Sequence, residues 1–197
     1  MPLRPAPPRP AARRRRSRRL IGWLLVVVLV GGGLGAWAWW NGSVGSVPVR
    51  EHCTATAAGT MTQVDPEQAG NAAIIAGVAW DRGLPDRAVV IALATAQQES
   101  GLRNIDYGDR DSLGLFQQRP SQGWGTEAQV QDAVYAAGIF YDRLVQVPGW
   151  DSGRLTDVAQ TVQRSGFPEA YQKHEAMAID LTAALRAGSG ELDCSPV

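Results

Sequence analysis

Residues 20 to 40 form a run of twenty-one residues without a charged side chain. As a helix the run would span roughly 31 Å, about the hydrocarbon thickness of one bilayer. It divides the chain into two parts that must be read separately. Arg13, Arg14, Arg15, Arg16, Arg18 and Arg19 stand immediately before it, and no charge follows until Arg50. The positive-inside rule then keeps the N-terminus in the cytoplasm and exports everything from about residue 41. Trp37, Trp39 and Trp40 sit at the outer end, where indole rings favour the water-lipid boundary. A signal peptide has the same outline, and Ala36-Trp37-Ala38 fits its cleavage pattern, which would release the domain after Ala38. The length of the run and the bulky Trp39 beyond the cut favour an uncleaved anchor.

The overall charge balance hides an asymmetry. Residues 1 to 49 carry eight arginines and no acid, whereas residues 50 to 197 carry eleven basic against nineteen acidic residues, a balance of minus eight. The exported part is therefore acidic, and nucleic-acid binding by it is not expected. Residues 1–19 read as a disordered basic tail, 20–40 as a transmembrane helix and 41–64, rich in Gly, Ser, Thr and Ala, as a tether. A folded domain is expected over 65–187, followed by a short tail over 188–197.

The two cysteines, Cys53 and Cys194, lie at the two ends of the exported part. In an oxidising compartment the pair predicts a disulfide that ties the ends of the domain together. The chain-entropy picture gives such a closure up to about 4–5 kcal/mol. Neither the cysteines nor the distant His52 and His174 have the close spacing of metal ligands, so no metal and no cofactor are implied.

Within the domain the periodicity predicts mostly helix, with at most a sliver of sheet. Asp65-Pro66-Glu67 reads as an N-cap and first turn, and Ile74, Ile75, Val78 and Ala79 recur at helical spacing up to Gly83. Pro85 opens a second helix that is apolar on nearly all sides through Ala96, which marks a central, buried element ended by Gly101. Further helices are expected over 127–145, from Thr156 to about Arg164, and from Pro168 to Arg186. Residues 103–111 and 121–125 read as loops, the latter with an exposed-looking Trp124. Residues 113–119 suit a short strand or an extended turn.

The central helix delivers one acid, Glu99, to its C-terminal turn. Apolar surroundings and the negative end of the helix dipole both disfavour a charged carboxyl there, so its pKa should rise. A carboxylic acid that keeps its proton near neutral pH can give it to a leaving oxygen, as glycosidic bond cleavage requires. The plainer alternative is a Glu that pairs with a nearby arginine at a helix end.

The company Glu99 keeps favours the chemistry. Gln98-Glu99-Ser100-Gly101, followed thirteen residues later by Gly114-Leu115-Phe116-Gln117, resembles the E-S-G and G-L-M-Q signatures of the soluble lytic transglycosylase and goose-type lysozyme superfamily. The resemblance covers about residues 65 to 185. It implies an all-α, lysozyme-like fold with a minimal sheet, peptidoglycan glycan strands as substrate, and Glu99 as the catalytic acid. By the same resemblance Ser100, Gly114, Phe116 and Gln117 line the sugar cleft. Bottom-up, Gly114 lets backbone approach closely and the Gln117 amide can serve sugar hydroxyls or an N-acetyl group. Core packing is the main role expected of Leu115 and Phe116.

The family's third signature, A-Y-N, is altered. Its place is taken by Thr161-Val162-Gln163-Arg164-Ser165-Gly166, so Gln163 stands where Asn is expected and the Tyr hydroxyl is missing. Tyr107 and Tyr171 are the candidates to replace that phenol. Asp106, Asp109 and Asp111, in the loop between the two motifs, are candidates for a second carboxylate. One placed about 6.5–9.5 Å from the acid would activate water for hydrolysis. Without one, the resemblance implies the transglycosylase route to a 1,6-anhydro end. Trp124 and Trp150 suit either sugar stacking or core, and His174 reads as a surface residue.

Two functions follow. One is a membrane-anchored enzyme that cleaves the bond between N-acetylmuramic acid and N-acetylglucosamine. The other is a peptidoglycan-binding or scaffold module without turnover, in either case suited to serve a secretion or conjugation apparatus.

Overall fold

The computed structural model describes residues 51–57, 60–167, 169–188 and 192–196. The basic tail and the apolar run of residues 20–40 lie outside these; among the described residues no helix is long and apolar enough to cross a membrane.

Six α-helices and one small sheet make up the described part. Helix α1 (Pro66–Asp81) starts where its residues dictate. Asp65 accepts from the Gln68 amide N–H at 2.9 Å, Gln68 Oε1 accepts from the Asp65 N–H at 2.9 Å, and Pro66 occupies the first turn. Helix α2 (Asp86–Ser100) is the axis of the domain, because every residue from Ala88 to Ala96 is buried. It packs against α1, α4 (Ala133–Leu144), α5 (Leu155–Gln163) and α6 (Glu175–Ala187). Gly101 closes it in the left-handed conformation, φ 65, donating its N–H back to the last turn.

Sequence expectation and structure part company in four places. Residues 127–145 form two helices, α3 (Glu127–Val130) and α4, because Asp132 breaks the run and caps α4 by accepting from the Tyr135 N–H at 2.7 Å. The last helix begins at Glu175, later than Pro168, after a 3-10 turn over Gln172–His174; residue 168 itself lies outside the described residues. Trp124 is only 6% exposed, under the guanidinium of Arg143 at 3.4 Å from the ring centroid.

The fourth difference moves the domain boundaries. Residues 51–57 and 60–64 are not a tether and residues 192–196 are not a loose tail. Strands β1 (Glu51–Ala57), β2 (Thr60–Val64) and β3 (Leu192–Pro196) form an antiparallel sheet in the order β2-β1-β3. Cys53 faces Cys194 in register and the two are disulfide-bonded, so the expected bridge clasps the first and last strands. The sheet lies on α6, where Thr62 Oγ1 donates to Asp180 Oδ2 at 3.0 Å.

Candidate functional site

Glu99 sits in the last turn of α2, and the Gly114–Gln117 turn is fastened directly against it. Leu113 and Gln118 bridge each other through two backbone hydrogen bonds of 3.0 Å, which closes the turn. The Ser100 hydroxyl donates to the Leu115 carbonyl at 2.8 Å, and Gln163 Nε2, from the end of α5, donates to the Phe116 carbonyl at 2.8 Å. The two sequence motifs thus meet through side chain to backbone bonds beside the acid.

The carboxyl of Glu99 is largely buried, and burial pushes its pKa upward. Hydrogen bonds from Tyr171 and then Gln163 pull in the other direction without cancelling the rise. The Tyr171 hydroxyl donates to Glu99 Oε1 at 2.6 Å. Tyr171 is itself fully buried, and burial followed by the nearby Glu99 charge pushes its phenol far above the usual range. It therefore remains a donor at any working pH. Among the described residues no arginine, lysine or histidine is ion-paired with Glu99, so the plain salt-bridge alternative does not hold.

Glu99 opens onto a cleft of about 460 Å³. Its walls include Gln117, Gln163 and Trp124, together with Ser112, Asp109 and a rim of Arg164 to Phe167. Arg110, Gln117 and Arg164 all line this cleft with positive φ (59°, 46° and 55°); among the described residues the only other non-glycine with positive φ is Leu102. Left-handed backbone costs a non-glycine residue roughly 1–2 kcal/mol, and such strain collects at functional sites.

Several expected site residues have other duties. Ser100 positions the turn and does not line the cleft. Gly114 is buried at φ 75, where a Cβ would overlap the Val130 carbonyl, so its close approach is to the protein's own backbone and not to a ligand. Phe116 is fully buried and stacks on Phe140 with centroids 4.6 Å apart; only its carbonyl serves the site. Tyr107 is 68% exposed and touches the site through its backbone, since its carbonyl accepts from Gln117 Nε2 at 3.2 Å. The phenol that stands beside Glu99 is that of Tyr171.

The three aspartates also separate. Hydrogen bonding by Ser121, whose N–H donates at 2.8 Å, and then by Arg119 at 2.7 Å keeps the Asp111 carboxyl well below the usual carboxylate range. Asp106 is exposed and does not line the cleft. Asp109 lines it, with its side chain 93% exposed. His174 contacts Gln98 Oε1 at 3.1 Å, and Trp150 packs against the core. Among the described residues no group of His, Cys, Asp and Glu could hold a metal ion.

Two features escaped the sequence reading. Gly108 must be glycine because a Cβ there would overlap Gln117 Oε1 and come within 2.6 Å of the Ser112 carbonyl. Phe167, 76% exposed, stands on the cleft rim; an aromatic beside Ser165-Gly166 carries no periodic signal that would have marked it.

No protein-family model and no curated protein matches the chain. The likeness to the transglycosylase and goose-type lysozyme superfamily therefore rests on the motif residues alone.

Proposed function

We propose that the protein is a membrane-anchored lytic transglycosylase with a lysozyme-like domain outside the cell membrane, acting on peptidoglycan glycan strands. The observation that carries this is Glu99. A carboxyl whose pKa is raised by burial stands at the wall of an open cleft, with a phenol donor on one oxygen and, among the described residues, no cation ion-paired with it.

The geometry divides the work between the two carboxyl oxygens. Tyr171 donates to Oε1 and Gln163 adds a second donor to the carboxyl, while Oε2 carries the transferable proton. Glu99 gives that proton to the oxygen between N-acetylmuramic acid and N-acetylglucosamine as the bond to the muramyl anomeric carbon breaks. The carboxylate left behind takes the proton of the muramyl 6-hydroxyl, whose oxygen closes onto the anomeric carbon. A 1,6-anhydro end forms, no water is consumed and Glu99 is restored to its starting state.

A lyase route is preferred to hydrolysis because the candidate base on the cleft wall, Asp109, is a solvated rim carboxylate, while Asp111 is tied to Arg119. A water activated by Asp109 is the rival path, and Asp109→Asn separates the two. The lyase reading expects unchanged product ends, whereas hydrolysis expects reducing ends that vanish with the substitution. The proposal as a whole is tested by clearing of a purified sacculus suspension: the full-length protein in detergent clears it and Glu99→Gln does not. A wild type that leaves the suspension turbid refutes the enzyme and favours a binding module.

A further inference from the structure

A second hollow, of about 450 Å³, adjoins the Glu99 cleft and shares Gln122 and Arg164 with it. Arg164 lines both hollows and Arg143 lines the second, and the cleavage step uses neither. Arg164 ends α5 in the left-handed conformation, φ 55, a position where glycine is free of strain. A large charged side chain kept there points to a use for the side chain. Arg143 lines the second hollow, lies over the Trp124 ring and donates Nη2 to the Gly123 carbonyl at 2.9 Å.

Neither arginine is ion-paired with a carboxylate among the described residues. The surrounding acids are engaged elsewhere. Asp142, also in the second hollow, pairs with Arg82 at 2.9 Å, Asp111 with Arg119 at 2.7 Å, and Asp109 faces Arg110 at 4.0 Å. Burial, and then the charge of Arg164, hold Arg143 below the usual guanidinium value. Two like charges close enough to disfavour each other, with no carboxylate paired to either among the described residues, are relieved by an anion. The surface as a whole offers no such attraction, since residues 50 to 197 hold nineteen acidic against eleven basic residues. The positive junction is a local departure placed beside the cleft.

We propose that Arg143 and Arg164 form a carboxylate-binding subsite for the substituent that branches from the glycan strand, either its 3-O-lactyl carboxylate or the peptide attached there. This deepens the reading of the Glu99 cleft as a glycan-cleaving site and rests on it. A strand lying in the cleft needs room beside it for that branch, and the second hollow supplies it. Guanidinium groups match carboxylates with paired hydrogen bonds, so the subsite selects carboxylate-bearing strands over neutral N-acetylhexosamine polymers.

The test is a binding titration of full-length Glu99→Gln protein in detergent, which leaves strands whole. Three soluble glycan fragments are compared: stem-bearing, stem-bearing with carboxyls converted to methylamides, and amidase-stripped with the lactyl carboxylate free. Methylamide fragments are expected to bind about tenfold more weakly, the size of one charge-assisted hydrogen bond. Adding Arg164→Gln or Arg143→Gln should weaken the charged fragments by about tenfold more than the methylamide fragments, so that the preference for carboxylate is lost. Arg164→Lys, which keeps the charge, should retain part of the preference. Stripped fragments that bind as well as stem-bearing ones place the anion on the lactyl group, and weaker binding places it on the peptide. Equal affinity for charged and neutralised fragments, an equal loss on both in Arg164→Gln, or no binding of any fragment overturns the subsite. Cleavage of the same fragments by protein with Glu99 intact is scored separately. Selective binding without cleavage sinks the enzyme and keeps the subsite, and cleavage without selectivity does the reverse.

Discussion

Glu99→Gln should stabilise the protein at neutral pH while removing its activity. The ordinary carboxyl value for this residue is 4.5, and burial in the fold raises it. The folded state therefore binds the proton more tightly than the unfolded state. Stability falls as pH rises from the unfolded value to the folded one and levels off above it. Each unit of elevation corresponds to about 1.4 kcal/mol of lost stability. For a domain of this size that equals a change in Tm of roughly 3–6 °C. Gln is close in shape, is never charged, and still offers an oxygen to the Tyr171 hydroxyl that now donates to Oε1 at 2.6 Å. Its amide N–H2 can face the wet cleft. Urea melts of wild type and variant between about pH 4 and 8 would show curves that coincide at the acid end and separate as pH rises, the variant being the more stable. A difference that does not change with pH, or a variant less stable than wild type at pH 8, would refute the claim that burial in the fold raises this carboxyl's pKa.

Other substitutions probe the surroundings. Tyr171→Phe removes a hydrogen bond that favours the charged carboxyl, so the Glu99 pKa rises further and the basic limb of the pH–activity profile should move to higher pH. Stability at neutral pH should drop by about 1–1.5 kcal/mol in urea melts. Gly114→Ala sets a methyl group against the Val130 carbonyl at a left-handed position and should cost about 2–4 kcal/mol, read as a lowered Tm. Reduction of the Cys53–Cys194 bond, or the double serine variant, releases a clasp between strands 141 residues apart; the urea midpoint should fall by the equivalent of about 2–5 kcal/mol.

The central helix and its acid could be read from the residues because their signals are local. Nine successive buried residues from Ala88 to Ala96, a proline before them and Gly101 after them are all visible in one dimension. The N-cap at Asp65 is of the same kind. A sliver of sheet was expected, but its place escaped notice because its inward positions in β1 are Cys53 and Ala55, alternating with threonines. Residues that small keep the period of two but give little hydrophobic contrast, and they look like a linker. Its third strand arrives from the far end of the chain, a pairing that no local pattern encodes.

At the site, spacing located the acid and the turn but could not divide cleft residues from core residues. Gly114 and Phe116 belong to the motif yet face inward, whereas Gln117, from the same turn, reaches the cleft. The phenol beside Glu99 comes from Tyr171, seventy-two residues on, outside the altered third motif. Only the packing of the segment after α5 against the end of α2 brings it there. Asp111 has the position of a candidate base in the sequence, but Arg119, eight residues later, holds it.

The most direct test is mass spectrometry of the ends of fragments released from purified peptidoglycan by the full-length protein. The account predicts 1,6-anhydromuramyl ends from the wild type and none from Glu99→Gln. Intact polymer after wild-type treatment, or the same fragments from both proteins, would contradict it.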